Sequence, residues 1–509
     1  MRKLAACVGL FGVTLAPLAL ASAAAAAPPG RALNATAVDS YMTDYLERTG
    51  LPGAVVAVTR GDQVIRAAGY GHGADGRTLT AGTPMPVASL SKSFTALAVM
   101  QLVEAGKVNL DAPVRHYLPE FEMADPRAGK ITVRQLLNQT SGMADSAFPD
   151  LALPQSDTLA GAVARMRGAK LSVEPGTKMN YHNPNYFVAA RLVEVVSGVS
   201  FADHMSGKVF GPLGMKASTT VDTTKDMPGG AKGYIRAYGQ VIPRSHPYWF
   251  ANGSQGVVTT ADDLTRWLIM QNNKGRSADG RQIVSTRSIE TMRAPTKGSG
   301  YGMGWSTNGP EQGPVRIQHT GWLLTHNAMQ TLLPGGGYGI AVVTNTGMSL
   351  EDDSALITQG LVDLTEGKIP EPATPFTMTA DLVLAALTFL ALALGVLGVL
   401  RARTWTGRTT GRPLWRVVLR LVPYTLPIAI FATLADLFGL LLNRAGTMDQ
   451  VTYVWPALYV WLGTTALTSA AVIMVRGFHA IRARRRPAGI TSDGSPGAAG
   501  AAGADRGRR

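Results

Sequence analysis

Short apolar runs come in two pairs, one near each end of residues 30–366. The first pair, residues 54–59 and 64–68, is separated by a polar turn, and the second pair, residues 328–333 and 340–344, flanks a Pro/Gly-rich turn. Apolar runs of this length broken by turn residues are typical of β-hairpins. The pattern therefore predicts strands at both ends of this region.

The stretch between the two hairpins has helical periodicity and polar residues that resemble helix caps. The candidate capping boxes are Thr132 with Gln135, Ser200 with Asp203, and Thr260 with Asp263. Strands at both ends with helices between them indicate that the chain ends meet in one antiparallel sheet, beside an all-α insertion. The predicted fold class is α+β, with an antiparallel sheet flanked by helices and an all-α subdomain.

Three long apolar stretches follow this region. They cover residues 381–400, 421–442 and 454–475, after a Pro-rich linker at residues 367–380. Each can cross about 30 Å of hydrocarbon as a helix, so the sequence predicts three C-terminal transmembrane helices. Asp436 lies within the second stretch and is either functional or paired with a neighbouring helix, for example near Thr464 or Ser469.

The N-terminus has the composition of a secretory signal. Arg2 and Lys3 precede an apolar run, which ends in small residues before Pro28. We predict a signal peptide over residues 1–27; the alternative is a first membrane anchor. The one cysteine, Cys7, lies within this segment, so the mature chain has no thiol for disulfides, metal sites or nucleophilic catalysis.

The net charge of +14 is concentrated outside the α+β domain. Residues 401–420 and residues 476–509 contribute +6 each, and Arg2 with Lys3 supplies the remainder. Arginine-rich flanks of apolar helices indicate the cytoplasmic side. We therefore predict a basic cytoplasmic loop at 401–420, a disordered cytoplasmic tail at 476–509 and an extracellular domain at 30–366, with the lipid bilayer and no nucleic acid as a partner.

Ser89 and Lys92 open an apolar helical pattern. A spacing of three places both side chains on one face of the first helical turn, where the amine can reach the hydroxyl. The positive end of the helix and partial burial disfavour an extra proton on Lys92, which suits a base that activates a serine. The alternative is a capping serine beside a surface lysine.

Two further segments carry polar groups suited to the same chemistry. Tyr181 and Asn183 are two residues apart and share one side of an extended segment. A phenol can carry protons, and an amide can hold a substrate carbonyl or orient Lys92; the alternative is a packed tyrosine and a capping asparagine. His319, Thr320 and Gly321 lie on a predicted edge strand, where the Trp322 amide could complete an oxyanion hole with the Ser89 amide; the alternative is an ordinary strand histidine.

Taken together, the three motifs resemble the β-lactamase-related serine hydrolases, which include class C β-lactamases, penicillin-binding proteins, D-alanyl-D-alanine carboxypeptidases and esterases. They occur in the family's order. The matching segments are KSFTAL at 92–97, QLVEAGK at 101–107, YLP at 117–119, ITVRQLL at 131–137 and TSG at 140–142. The resemblance covers residues 35–366 and implies a β-lactamase/transpeptidase-like fold.

The resemblance implies that Ser89 is the acylated nucleophile, Lys92 its base and Tyr181 a second proton carrier. It also implies that Asn183 and residues 319–321 bind substrate, with no cofactor or metal. Many family members that process β-lactams have lysine where this chain has His319, and a largely neutral histidine is a poorer ligand for a substrate carboxylate. This favours a peptidase or esterase.

The sequence thus favours a membrane-anchored serine hydrolase acting on a small amide, D-amino-acid peptide or ester, with cell-wall fragments among the candidate substrates. One alternative is a membrane receptor that binds penicillin or wall fragments, and another is a non-catalytic scaffold. A metallohydrolase is disfavoured because no His-Glu-x-x-His motif or comparable ligand cluster is evident in the sequence.

Overall fold

The computed structural model describes residues 33–308, 313–349, 352–372, 376–442 and 444–485. The predicted signal peptide at 1–27 lies outside the described residues, as does the predicted tail from residue 486 onward. We refer to residues 33–372 as the N-terminal domain and to residues 376–485 as the C-terminal segment.

A six-stranded antiparallel sheet joins the two ends of the N-terminal domain. The strands, in chain order, are β1 (Gly53–Arg60), β2 (Gln63–Gly71), β3 (Met85–Pro86), β4 (Thr219–Thr220), β5 (Gly233–Ala237), β6 (Gln240–Arg244), β7 (Val257–Thr259), β8 (Ser306–Thr307), β9 (Ile317–Trp322), β10 (Asn327–Leu333) and β11 (Tyr338–Thr344). The main sheet has the order β2-β1-β11-β10-β9-β8. Both predicted hairpins are confirmed, and Val56 of β1 pairs with Val342 of β11.

Helices cover both faces of this sheet. Those of the N-terminal domain are α1 (Ala35–Thr49), α2 (Ser91–Glu104), α3 (Val133–Leu137), α4 (Leu159–Ala164), α5 (Pro184–Ser197), α6 (Phe201–His204), α7 (Gly211–Leu213), α8 (Ala261–Asn272), α9 (Thr286–Arg293) and α10 (Asp353–Thr365). Strand alternation directs Val55 into the core shared with α2 and α8, and Val56 into the core shared with α1 and α10. The α+β prediction is confirmed.

Side-chain caps set where several helices begin, as predicted. Thr132 and Gln135 form a complete capping box at α3, and the Thr260 hydroxyl accepts a hydrogen bond from the Asp263 amide at α8. Helices α3 to α5 form the all-α region beside the sheet, and Phe187 of α5 is buried in the same core as α2. This packing fixes α5, and the residues just before it, against α2.

Two small sheets complete the N-terminal domain. One has the order β3-β7-β4, and the other is the hairpin of β5 and β6. The Val87 amide donates to the Val257 carbonyl at 3.0 Å, so β7 holds the chain immediately before Ser89. The small three-stranded sheet therefore positions the start of α2.

The C-terminal segment is helical. Its helices are α11 (Phe376–Leu400), α12 (Ala402–Thr409), α13 (Leu414–Leu419), α14 (Thr425–Ala432), α15 (Leu434–Leu442), α16 (Met448–Val454) and α17 (Pro456–Arg485). Within the part of the chain that the structure describes, three stretches are long and apolar enough to cross a membrane: Phe376–Leu400, Leu414–Ala432 and Pro456–Arg485. The first begins inside the predicted linker, and α17 extends ten residues beyond the predicted 454–475 helix, to Arg485. The prediction of a disordered tail over 476–509 is therefore wrong for residues 476–485, which are helical.

The second stretch differs from the prediction of one helix over residues 421–442. The helix ends at Ala432, Thr433 leaves helical geometry, and α15 begins at Leu434. Leu434 and Phe438 are then buried against the N-terminal domain. These apolar residues therefore form an intramolecular contact between the C-terminal segment and the N-terminal domain. Asp436 is exposed on α15, which does not support the expected burial against a neighbouring helix.

The C-terminal segment is docked on the N-terminal domain by specific contacts. Arg244 of β6 donates to the Thr452 carbonyl at 2.8 Å and lies 3.4 Å from the centroid of the Tyr453 ring. Asp381 of α11 accepts hydrogen bonds from the Tyr238 amide at 2.7 Å and from Trp455 Nε1 at 2.9 Å. These contacts hold the start of α11, the end of α16 and the β5–β6 hairpin together.

We predict that Arg244→Ala loosens this docking. The substitution removes two hydrogen bonds to Thr452 and the contact with Tyr453, a loss of about 1–3 kcal/mol. Limited proteolysis of the full chain should therefore cleave the loop after α15 faster. Arg77→Ala, which changes an exposed arginine in the turn after β2, is the matched control. Equal cleavage rates in the two variants would contradict the assignment.

Candidate active site

Ser89 lies in a tight turn immediately before α2. Residues Ala88–Leu90 form a single 3₁₀ turn, and Ala88 has a positive φ of 48°, a conformation that is strained for alanine. The Ser91 hydroxyl donates to the Ala88 carbonyl at 2.6 Å and accepts from the Val257 amide at 2.9 Å. These bonds hold the strained turn, which presents Ser89 at the wall of a cavity.

Lys92 is fully buried, and its amine has three polar neighbours. The Nζ atom lies 3.0 Å from Ser89 Oγ, 3.0 Å from Asn183 Oδ1 and 3.1 Å from the Ser254 carbonyl oxygen. Burial lowers the pKa of Lys92 well below its usual value of 10.5, and the positive charge of Arg444 lowers it further. In the neutral amine, the two N–H groups donate to Asn183 and Ser254, and the lone pair can accept the Ser89 proton.

Asn183 is oriented toward Lys92. Its side chain is fully buried, with Oδ1 on Lys92 and Nδ2 donating to Gln255 Oε1 at 3.3 Å. Gln255 Nε2 in turn donates to the Trp322 carbonyl at 3.2 Å. Of the two roles expected for Asn183, the geometry supports orienting Lys92, and Gln255 connects this residue to the third motif.

Tyr181 lies beside both Ser89 and Lys92. Its ring centroid is 4.8 Å from Lys92 Nζ. Burial raises the pKa of Tyr181 to about 12, and its interaction with Ser89 opposes that shift. The phenol is therefore protonated at neutral pH, which suits a group that donates or relays a proton.

His319 is a neutral hydrogen-bonding residue in this site. Its Nδ1 lies 2.6 Å from the Thr320 carbonyl and therefore carries the proton, and its Nε2 accepts from the Tyr301 hydroxyl at 3.0 Å. Burial lowers the pKa of His319 to about 3, and the charge of Lys92 acts in the same direction. The third motif therefore supplies no cation at neutral pH, as expected from histidine at this position.

The edge of β9 faces the serine turn. Strand β8 pairs only with Ile317 and Gln318, so within the described residues the outer edge of β9 has no strand partner beyond Gln318. Thr320 and Trp322 line the cavity with Ser89. Gly321 instead packs on the turn, because a Cβ there would lie 2.5 Å from the Val87 carbonyl oxygen. Gly321 is not among the described residues that line the cavity, and its contact with substrate stays a prediction.

A buried acidic pair, of which Asp150 interacts electrostatically with Lys92, contacts residues of the C-terminal segment. Asp145 accepts a very short hydrogen bond from the Ala445 amide, and Arg444 Nη2 lies 3.7 Å from Asp150 Oδ1. Burial raises the pKa of both aspartates, and Arg444 opposes the shift. Asp145, Asp150 and His182 could geometrically hold a metal ion, but the guanidinium beside Asp150 already provides the compensating charge.

Four residues of the site were not identified from the sequence: Ser254, Gln255, Tyr301 and Arg444. Ser254 contributes only a backbone carbonyl, which no side-chain motif encodes. Tyr301 lies in a glycine-rich stretch, and that was its one local signal. Gln255 and Arg444 come from segments far along the chain, and only the fold brings them to the site.

A serine with a buried lysine three residues later, on this α+β fold, defines a serine hydrolase site. The family model described as Beta-lactamase matches residues 38–362. The chain therefore belongs to the β-lactamase family, and the members of this family that share its fold are serine hydrolases. The match ends before α11, so the C-terminal segment lies outside it.

Curated relatives support the same family. The chain is 30% identical over 341 residues to penicillin-binding protein 4 of Amycolatopsis lactamdurans, covering 64% of this chain and 89% of that protein. It is 26% identical over 313 residues to protein flp of Staphylococcus aureus (strain MW2), covering 60% of this chain. The match spans 62% of the length of that staphylococcal relative.

Solved structures show the same fold. The octameric penicillin-binding protein homologue from Pyrococcus abyssi matches with a TM-score of 0.57 at 25% identity, over 69% of this chain and 82% of that one. A D-amino acid amidase from Ochrobactrum anthropi SV3 matches with a TM-score of 0.52 at 22% identity, over 65% of this chain and 98% of that one. The expected β-lactamase/transpeptidase-like fold is confirmed.

We predict that Gly321→Ala lowers activity strongly. The added methyl group would lie 2.5 Å from the Val87 carbonyl oxygen and 3.1 Å from the Ala88 side chain, so the turn that presents Ser89 must shift. Misplacement of a reacting group by about 1 Å can cost about 100-fold in rate. The measurement is the rate of Ser89 acylation by a fluorescent penicillin or phosphonate. Gly168→Ala, where a Cβ meets nothing within 4 Å, is the control; equal rates would contradict the prediction.

We also predict that His319 does not set the pH dependence of the enzyme. With a pKa lowered to about 3, the imidazole is neutral above about pH 5, and protonation would appear only in strong acid. The profiles of kcat/KM for the wild type and His319→Gln should therefore have the same inflections between about pH 5 and 8. An inflection near 6.5 that disappears in the variant would show that His319 titrates there.

Proposed function

We propose that this protein is an active, membrane-anchored acyl-enzyme hydrolase with Ser89 as nucleophile. The observation that carries the proposal is the contact of the buried Lys92 amine with Ser89 Oγ at 3.0 Å, where two acceptors hold both N–H groups of the neutral form. A lysine on a surface would be an ammonium ion and could not accept the serine proton.

Acylation would begin when Ser89 Oγ attacks the carbonyl carbon and its proton passes to Lys92 Nζ. The Oγ–C bond forms as the carbonyl π electrons move to oxygen, where the amides of Ser89 and Trp322 are the proposed donors. Collapse of this intermediate breaks the bond to the leaving group. Tyr181 gives the leaving group its proton and recovers one from the Lys92 ammonium.

Deacylation would follow the same route in reverse, with water as the nucleophile. Water loses a proton to Lys92 through Tyr181 and attacks the acyl carbon, and the bond to Ser89 Oγ breaks as the serine regains its proton. The enzyme then has the protonation states with which it began. No cofactor enters any of these steps.

The proposed substrates are small amides, D-amino-acid peptides or esters, with carboxypeptidase, D-aminopeptidase or esterase activity. The neutral state of His319 supports this choice, because a cation that would bind the carboxylate of a β-lactam is missing from the third motif. A cell-wall-derived peptide would also be accessible to a domain on the outer face of the membrane.

The position of residues 30–366 on the outer side of the membrane is also part of the proposal. Arginines are concentrated between the first and second candidate spans, at residues 401–420, and at the end of the third, from Arg476 onward. This placement supports a cytoplasmic position for these two segments. Three spans then leave residues 30–366 outside after removal of the proposed signal peptide. The contact of Asp381 with Trp455 agrees with this arrangement, because it brings the starts of the first and third spans to the same side.

A second candidate is a receptor that is acylated by penicillin or binds wall fragments with little turnover. The contact between Arg444 and the acidic pair beside Lys92 favours this candidate, because it connects the site to the candidate membrane helices. A stable adduct without hydrolysis of any ester or amide would support the receptor, whereas repeated turnover would support the enzyme. A non-catalytic scaffold would form no adduct.

We predict that fluorescent penicillin or a p-nitrophenyl ester adds covalently to Ser89 of the full chain in detergent. Intact-mass analysis should show one acyl group on the wild type and none on Ser89→Ala, because the nucleophile is lost. Ser197→Ala, at the distant end of α5, is the matched control and should be labelled like the wild type. Labelling that persists in Ser89→Ala, or is missing in folded wild type, would contradict the proposed mechanism.

A further inference from the structure

The cavity beside Ser89 has walls from both parts of the chain. It has a volume of about 360 Å³, within the range of small-molecule sites. Its apolar lining includes Leu151, Trp249, Leu324, Met348, Phe438 and Val454. The last two belong to α15 and α16, in the segment that the family match does not cover.

The wall formed by the C-terminal segment is an integral part of the fold. Phe438 and Val454 are buried in one cluster with Trp249 and Leu324 of the N-terminal domain. The Tyr453 hydroxyl donates to the Ser245 carbonyl at 2.7 Å, and Asp145 holds the Ala445 amide. These contacts fix α15 and α16 against the mouth of the site.

The same wall lies next to the ends of two candidate membrane spans. Phe438 follows Ala432, the end of the second span, by six residues, and Val454 precedes Pro456, the start of the third span, by two. At 1.5 Å per helical residue, neither is more than about 9 Å along the chain from a span. If these stretches cross a membrane, this wall of the cavity would face the membrane surface.

The charges around the cavity are already paired. Within its described lining, Arg444 is the one cationic side chain, and its guanidinium faces Asp150 at 3.7 Å. His319 accepts a hydrogen bond from Tyr301 and carries no charge at neutral pH. An apolar substrate group would bury surface against Phe438, Trp249 and Leu324, whereas a free carboxylate would find no unpaired cation there.

We propose that α15 and α16 form the substrate-binding wall of the site, and that its substrates are esters or amides bearing an extended apolar group that enters from the membrane surface. This inference rests on the proposed hydrolase function and specifies its substrate class. Phe438 and Val454 are the specificity-determining residues. The reaction is the acyl transfer to Ser89 and water described above.

The test uses the full chain in nanodiscs with two series of substrates. One series consists of p-nitrophenyl esters from acetate to dodecanoate, and the other of acetate esters of alcohols from ethanol to dodecanol. In at least one series kcat/KM should rise with chain length, by up to about fourfold per methylene group buried. Phe438→Ala should reduce the long-chain rates about tenfold and the rate with the acetate of a short alcohol by a smaller factor, because the short substrate buries less surface against this ring.

Two further variants separate specificity from folding. Phe389→Ala, on the exposed face of α11, is the matched control and should behave like the wild type. Val454→Phe fills the cavity and should shorten the longest chain that is accepted, an effect that a merely unstable variant would not produce. Rates that do not depend on chain length, or a chain-length dependence that Phe438→Ala leaves unchanged, would overturn the inference.

Binding to Ser89→Ala separates this inference from the proposed function. Decanamide and acetamide are titrated into the variant, with the fluorescence of Trp249 as the signal and Trp249→Phe as its control. Tighter binding of decanamide, weakened by Phe438→Ala, would support the inference even if Ser89 were never acylated. Equal binding of the two amides would overturn it, whatever the outcome of Ser89 labelling.

Discussion

Burial of the Lys92 amine is the constraint on which the rest of the site depends. A buried ammonium is costly, so the amine is stable there when it is neutral or when its N–H groups are matched by acceptors. Asn183 and the Ser254 carbonyl supply two acceptors, and the third position belongs to Ser89. Three features hold Ser89 beside the Lys92 amine. They are the strained turn at Ala88, the hydrogen bonds of the Ser91 hydroxyl and the close packing of Gly321 on that turn.

The same constraint extends to the C-terminal segment. Asp145 and Asp150 are buried carboxyl groups, and Asp150 is within the electrostatic reach of Lys92. Arg444, in the loop after α15, compensates their charge. The loop that supplies this arginine continues into α16, whose Val454 lines the cavity. Docking of the C-terminal segment therefore affects both the electrostatics around Lys92 and the shape of the cavity.

The sequence predicted those parts of the structure that depend on local spacing. Ser89 and Lys92 are three residues apart, and the hairpins and caps are encoded within a few residues of each other. The family resemblance assigned functional roles to Tyr181 and to the third motif, residues 319–321. Ser254, Gln255 and Tyr301 could not be predicted from spacing, because their contacts with Lys92, Asn183 and His319, respectively, join distant segments of the chain.

The break at Thr433 was missed for a different physical reason. Residues 434–442 are as apolar as a membrane span, and composition does not distinguish a helix that faces lipid from one that packs on another domain. Only the position of Trp249 and Leu324 on the N-terminal domain shows which surface Phe438 covers. Arg444 likewise has no local signal in the sequence, although in the fold it is the counter-ion of a buried acidic pair.

The most direct test of the neutral lysine is a ¹³C NMR titration of the Lys92 Cε in the full chain, with the resonance assigned by its loss in Lys92→Arg. Burial and the nearby guanidinium predict that the pKa of Lys92 is well below the ordinary value of 10.5, as the proposed base requires. A resonance that titrates at the ordinary value would contradict a buried, neutral amine and the mechanism that depends on it.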